Sequence, residues 1–384
     1  MEKINLVKDT IDKNDINLLI EWLKTDPILT KNKLTVEFEE KFSKYQNRKY
    51  SVYLNSGSSA NLAMIYSLLV SGKLKNKNII VPAVSWVTTV TPSIQFGLNP
   101  ILCECDSETL GLDVSHLERL IELYQPAAVM LVHVLGFPNK MKEIIELCKK
   151  NDVILLEDSC ESIGSTYNEI KTGSFGLMSS FSFYFGHHLS TIEGGMITTD
   201  DYELYCILKS IRAHGWNRDL DDPFSTELKE KFEIDEFKNL YTFYYPGFNL
   251  RSTDLQAFIG INQMNKIDNV VDIREKNYYH YNKLIKNDYW KITDFTNTYI
   301  SNFAYPIIHP NRKKIAEELK KGNVECRPLI CGSIGNQPFW IKLYEKLSFP
   351  FADIVDQYGM YVPNHPGMGL KEVEYICDII NKNT

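Results

Sequence analysis

Two adjacent imidazoles, His187 and His188, sit in the middle of Ser182-Phe183-Tyr184-Phe185-Gly186-His187-His188-Leu189-Ser190-Thr191-Ile192-Glu193-Gly194-Gly195. An imidazole moves protons near neutral pH, as general base or general acid. No lysine occurs between Lys171 and Lys209, so chemistry here that needs an amine must borrow one from elsewhere. Three other groups carry polar chemistry. Gly57-Ser58-Ser59 open a helix, whose free N–H groups and partial positive charge suit a phosphate, although the same residues also serve as an ordinary cap. Trp86 offers a flat π face, or else a core aromatic. Asp158 is a carboxylate at a strand end, or else a helix cap, and Glu161 follows three residues later.

A frame must bring these residues together. Short apolar runs alternate with helical stretches from about residue 35 to 210. The runs at 50–54, 78–81, 100–105, 127–132, 153–157, 179–184 and 196–199 are mostly rich in Val, Ile, Leu or Phe. Without polar alternation they read as strands buried on both faces. Helices are expected over 59–71, 113–124, 139–151 and 201–213. This alternation predicts an α/β fold with a mainly parallel sheet in an α/β/α layer. Ligands of such sheets gather at the carboxyl ends of strands. Asn55 to Ser59 follow the first strand, Val84-Ser85-Trp86 follow the second, and Asp158 ends the fifth. After about residue 270 the texture changes, with helical patterns at 273–287, 313–321 and 371–381 and an extended 304–308. A large domain over 1–270, whose N-terminal helices could pack elsewhere, and a smaller C-terminal α+β domain over 271–384 are therefore expected.

The chain of 384 residues is 44% hydrophobic and 24% charged, with a net charge of −7. That balance leaves no basic face for nucleic acid. No run reaches the roughly 20 apolar residues that cross a bilayer. Met1-Glu2-Lys3-Ile4-Asn5 is polar and leads into a helical pattern, unlike a signal peptide. Eight scattered cysteines read as free thiols of a reducing cytosol, so a cytoplasmic location is expected.

The histidine stretch resembles the active-site segment of the DegT/DnrJ/EryC1/StrS family of pyridoxal-phosphate (PLP) sugar aminotransferases. In that family a Ser-Phe pair begins five residues before the lysine that binds the cofactor, and Glu-Gly-Gly begins six after it. Both counts fall on His187, with His188 as its neighbour. Other motifs follow in the family's order. Gly57-Ser58-Ser59-Ala60 is similar to the Ser-Gly-Thr-Ala that grips the cofactor phosphate, and Trp86 stands where an aromatic stacks on the pyridine ring. Glu157-Asp158-Ser159-Cys160-Glu161 resembles Glu-Asp-x-x-Gln, which implies Asp158 against the pyridine nitrogen and Glu161 in place of the usual Gln. Ser182 matches a serine that adds a hydroxyl to the phosphate. Asn249 lies in Gly247-Phe248-Asn249-Leu250-Arg251, like the family asparagine that reaches the other subunit's phosphate. The resemblance therefore implies a homodimer with shared active sites and an aspartate aminotransferase-like fold, that of the fold type I PLP enzymes. His214, Arg218, Arg251 and Arg327 are candidates for binding substrate.

Histidine in the lysine slot is similar to the family's sugar 3-dehydratases. One kind of these carries an iron–sulfur cluster. Its first cysteine matches Cys160, but the next three slots fall on Arg218, Leu220 and Leu228, which cannot ligate iron through sulfur. No cluster and no other metal are expected. The resemblance then implies pyridoxamine phosphate (PMP) held noncovalently, with His187 moving the proton. It implies loss of the C3 hydroxyl from a nucleotide-linked 4-keto-6-deoxy sugar, GDP-4-keto-6-deoxymannose before others, and L-glutamate as amino donor. Nothing in the sequence reads the nucleotide base itself. Two other readings stand beside it: a sugar aminotransferase that borrows a distant lysine, and a protein that binds cofactor or sugar nucleotide without turnover.

Overall fold

Seven apolar runs form one sheet in the computed structural model, which describes residues 2–292 and 296–384. Met1, the first residue of the polar opening, lies outside the described residues. The strands are β1 (Tyr50–Leu54), β2 (Asn78–Pro82), β3 (Asn99–Cys103), β4 (Ala128–Val132), β5 (Ile154–Asp158), β6 (Met178–Ser182) and β7 (Gly195–Thr199). Their order across the sheet is β1-β7-β6-β5-β4-β2-β3. From β3 to β6 every pairing is parallel. β7 runs antiparallel to both β6 and β1, so the sheet is mainly parallel with one reversed strand. Residues 183–194 between β6 and β7 hold no helix, the element that usually carries a parallel crossover.

Helices cover both faces. Gly57–Ser71 and Tyr202–Arg212 pack through Met64, Leu68, Leu204 and Ile211 on one side. Val114–Tyr124 and Met141–Lys150 pack through Leu117, Ile121, Ile144 and Cys148 on the other. The central strands are buried along their whole length, which explains why their sequences lack polar alternation.

The C-terminal part adds a three-stranded antiparallel sheet of β8 (Ala304–Ile308), β9 (Arg327–Pro328) and β10 (Gly359–Pro363), in the order β8-β10-β9. Helices Arg312–Lys321 and Leu370–Asn381 accompany it. Helix Ile267–Leu284 runs through residue 270 without a break. One apolar core joins Met130 and Val132 of the large sheet to Ile307 and Val362 of the small one.

A buried ion pair fixes the strand that leads into the site. Glu39, on helix Lys33–Tyr45, accepts from Arg212 Nη1 at 2.5 Å and from the Tyr53 N–H at 2.7 Å. Arg212 Nη1 also donates to the Tyr53 carbonyl at 2.8 Å. Glu39 and Arg212 are 6% and 1% exposed, so removing one partner strands a charge. Glu39→Ala is expected to cost about 3–5 kcal/mol, read as a fall in the urea midpoint with little change in slope.

Candidate active site

β1, β2 and β5 end at a common level, and the small sheet faces them across a cavity of about 350 Å³. Ser56 caps the helix after β1, its hydroxyl accepting from the Ser59 N–H at 3.1 Å. That leaves the Gly57 and Ser58 N–H groups at the helix start, both residues lining the cavity. The turn is packed too tightly for side chains at two positions. A Cβ on Gly57 would lie 2.7 Å from the Ser182 Cβ, and one on Gly195 would lie 2.1 Å from the Ser56 carbonyl oxygen. The second clash explains a glycine at the end of Glu193-Gly194-Gly195.

Trp86 precedes helix Val87–Gln95 and is 56% exposed along the cavity. Asp158, at the end of β5, is 3% exposed. Asn61 Nδ2 and Thr89 Oγ1 both donate to its Oδ2 at 2.8 Å, and the Cys160 N–H donates to Oδ1 at 3.1 Å. Three donors thus hold one carboxylate facing the cavity.

The His187 loop is anchored at both ends. Phe183 N–H donates to the Gly194 carbonyl and Thr191 N–H to the Phe183 carbonyl, each at 2.9 Å. Phe183 is fully buried among Phe38, Phe42 and Tyr53. Within the loop, His187 Nδ1 lies 2.8 Å from the Cys160 carbonyl oxygen. A carbonyl only accepts, so Nδ1 carries the proton and Nε2 carries the lone pair in the neutral ring. Phe303 packs beside the imidazole at 5.0 Å between ring centroids. Burial pushes the His187 pKa down to about 4, against the raising effect of the Cys160 hydrogen bond. His188 is fully buried, and its Nε2–H donates to the Ser301 carbonyl at 3.0 Å. The two neighbours thus face different surroundings.

Glu161 lines the same cavity and accepts the Leu135 N–H at 2.8 Å. Burial raises its pKa to about 7, helped by the nearby Asp158 charge.

The cavity therefore gathers Gly57, Ser58, Trp86, Asp158, Glu161, Ser182, His187 and Arg327. It does not include Ser59, His214, Arg218, Asn249 or Arg251. Ser59 is the third residue of the helix, with its N–H already used by Ser56. Three of the others form a separate group: Arg251 Nε donates to Asn249 Oδ1 at 3.0 Å, and its Nη2 lies 3.4 Å from His214 Nε2. Arg218 stacks nearby over Trp216. Asn61, Thr89 and Phe303 escaped the sequence reading because each lies far along the chain from the residue it supports. Asn61 alone left a signal, one turn into the helix that Gly57 opens.

The site suits PLP or PMP on the structure's own terms. A side-chain-free turn at a helix N-terminus fits a phosphate, a half-open indole fits a flat ring, and a tripled-donor carboxylate fits a pyridinium nitrogen. With this fold and this site the chain belongs to the DegT/DnrJ/EryC1/StrS aminotransferase family, whose profile matches residues 9–381. Within that PLP-dependent family it is 33% identical to the GDP-4-keto-6-deoxy-D-mannose 3-dehydratase of Yersinia pseudotuberculosis, over 98% of each chain. It is 35% identical to the enzyme of that name from Escherichia coli O55:H7, covering 94% of this chain and 95% of the relative. A crystal structure of GDP-4-keto-6-deoxymannose-3-dehydratase with a trapped PLP–glutamate geminal diamine superposes with a TM-score of 0.89 at 32% identity. That alignment covers 98% of this chain and all of the other.

The raised Glu161 pKa has a direction for stability. The folded state holds this proton up to about pH 7, whereas an ordinary unfolded carboxyl loses it near pH 4.5. Stability from this group is therefore full below about 4.5 and is lost as pH rises through about 7. Glu161→Gln in cofactor-free protein is expected to remove that loss. Melting temperatures of the two proteins should diverge in favour of Gln between pH 5 and 8; parallel curves would refute it.

Proposed function

We propose that this protein is a PLP/PMP-dependent 3-dehydratase. It removes the C3 hydroxyl of a nucleotide-linked 4-keto-6-deoxyhexose, GDP-4-keto-6-deoxy-D-mannose first, and uses L-glutamate to regenerate PMP. One observation carries the reading: the lysine position holds an imidazole whose Nδ1–H is tied to Cys160, inside an otherwise complete cofactor cavity. The relatives named above act on that sugar nucleotide, by their names.

When bound, PMP supplies an amine for the sugar's 4-keto carbon and a protonated ring that accepts electrons. Gly57, Ser58 and Ser182 would hold its phosphate, with Ser59 supporting the turn, Trp86 would stack on its ring, Asp158 would pair with the ring nitrogen, and Glu161 would complete the cofactor's surroundings from the same cavity. His187 Nε2, free of its own proton at neutral pH, removes a proton and returns one to the departing hydroxyl as water. Arg327, beside Tyr361 in the small sheet, offers a cation to anionic substrate.

His214, Arg218, Asn249 and Arg251 serve the partner's cavity in a homodimer with shared sites. The exposure of His214, Arg218 and Asn249, with Arg251 half-buried beside them, outside their own cavity supports this reading. So do the exposed apolar side chains Phe237, Leu240, Tyr241 and Phe243 beside Trp216, because such patches mark association surfaces. No described helix is long and apolar enough to cross a membrane, and we place the enzyme in the cytoplasm. The chain divides near residue 270 into a cofactor-binding part and a smaller C-terminal part that closes the cavity.

The test is incubation with GDP-4-keto-6-deoxymannose, PLP and glutamate. Ammonia release and a product lacking one hydroxyl oxygen, with no new nitrogen, are expected. A product that retains an amine would establish an aminotransferase, and no conversion of any 4-keto sugar nucleotide would establish a binding protein. His187→Asn should lower dehydration by about 10²–10⁴-fold, and His187→Lys should not restore it. Borohydride treatment of the PLP-loaded protein should leave no cofactor on a lysine, as mass spectrometry of its peptides would read.

A further inference from the structure

Arg274, on helix Ile267–Leu284, is 1% exposed and has only carbonyl partners for its guanidinium among the described residues. Nη1 donates to the carbonyls of Phe303 at 2.8 Å, Asn302 at 3.4 Å, and Asn364. Nη2 donates to the carbonyl of His187 itself at 3.4 Å. The guanidinium also lies 5.7 Å from the Phe303 ring, whose centroid is 5.0 Å from that of His187. A buried guanidinium normally has a carboxylate beside it. This one has histidines around it instead. His187, His188 and His365 each donate one ring N–H to a main-chain carbonyl, of Cys160, Ser301 and Asn5.

We propose that Arg274 is a positioning residue for the reaction: its buried guanidinium pins the backbone of His187 and the flanking Phe303, and its charge adds to burial in opposing a second proton on the His187 ring. The inference rests on the reading of His187 as the base. It explains a cost that packing alone does not. A charge buried without a counter-ion is expensive, and its benefit here falls on the groups nearest to it. The Arg274 charge acts on all three histidines in the same direction, against protonation. Burial lowers the Arg274 pKa to about 9, which leaves it charged at neutral pH. From the other elements around His187, Asp158 draws a proton on. Glu161 is pushed up to about 7 and the Cys160 thiol well above its ordinary value, so neither adds a full negative charge. Arg327 on the opposite wall adds a second cation. Without Arg274, Asp158 would be opposed by burial and a distant cation only.

The test is a ring-proton NMR titration of the full-length chain carrying labelled histidine, with and without PMP. His187→Asn assigns the His187 signal. In the wild type His187 is expected to stay neutral to below about pH 5, in line with its midpoint near 4. Arg274→Met should raise that midpoint by about one pH unit, and Arg274→Lys should keep it low. A wild-type midpoint near the ordinary 6.5 would overturn the inference. So would an Arg274→Lys midpoint raised as far as that of Arg274→Met, or an Arg274→Met midpoint equal to the wild type. The wild-type and Arg274→Lys measurements stand if Arg274→Met fails to fold. Titrations as expected without any dehydration of the sugar nucleotide would sink the proposed function and leave only the effect of Arg274 on the His187 ring intact.

Discussion

The hydrogen bond from His187 Nδ1 to the Cys160 carbonyl is the contact on which the site depends. A lysine reaches its target on a long flexible stem. An imidazole has two side-chain torsions and goes where its backbone puts it. The bond fixes both the ring's direction and its tautomer. It also joins the two halves of the site through a single residue, because the Cys160 N–H holds Asp158 while the Cys160 carbonyl holds His187. The imidazole and the carboxylate therefore keep one relation to each other. The rest of the loop serves the same end, clamped by Phe183, Thr191 and Gly194 over a fully buried aromatic cluster.

Burial then inverts the usual order of two titrating groups. An ordinary glutamate loses its proton about two pH units below an ordinary histidine. Here Glu161 rises to about 7 and His187 falls to about 4. One cavity thus offers a carboxyl that still carries protons near neutrality beside an imidazole whose Nε2 carries none. Groups whose environments push their pKa values apart divide acid from base. A glutamine at position 161 would supply shape and hydrogen bonds but no proton. The departure from the family's usual residue is therefore a chemical difference, although its isostere would pack equally well.

The sheet was legible because strands buried on both faces cannot hide their composition. All seven runs became strands, with ends displaced by one or two residues at most sites. The cavity-lining residues at strand ends were legible because ligand sites of such sheets lie at the carboxyl ends of the strands. Helix Val87–Gln95 was missed because Pro92 lies inside it, and proline argues against a helix interior. Lys13–Leu23 was expected only as an N-terminal helical pattern without bounds, because its apolar residues Ile16, Leu18, Ile20 and Leu23 are exposed in the single chain and mark no core face. The supports of the site were invisible for a different reason. Arg274, Asn302, Phe303 and Asn364 act through main-chain carbonyls, and a carbonyl has no residue type to recognise.

The group of His214, Asn249 and Arg251 is built more rigidly than its place outside the cavity requires. His214 is held at a φ of 66°, a conformation that non-glycine residues rarely adopt. Its N–H donates to the Phe248 carbonyl at 2.6 Å, and the Gly215 N–H that follows donates to Ser210 at 2.8 Å. Gly215 itself leaves no room for a side chain, since a Cβ there would lie 1.6 Å from the Tyr245 carbonyl oxygen. Such fixing is unusual for an exposed polar turn with nothing of its own to bind. Strain of this kind persists where the surroundings over-determine it, and it clusters at ligand-holding sites. The turn lies outside the candidate cavity of its own chain. In the homodimer proposed above, a two-fold axis would bring such a fixed polar turn to the cavity of the second copy, where its rigidity would place His214 and Arg251 against a ligand at little further cost in order.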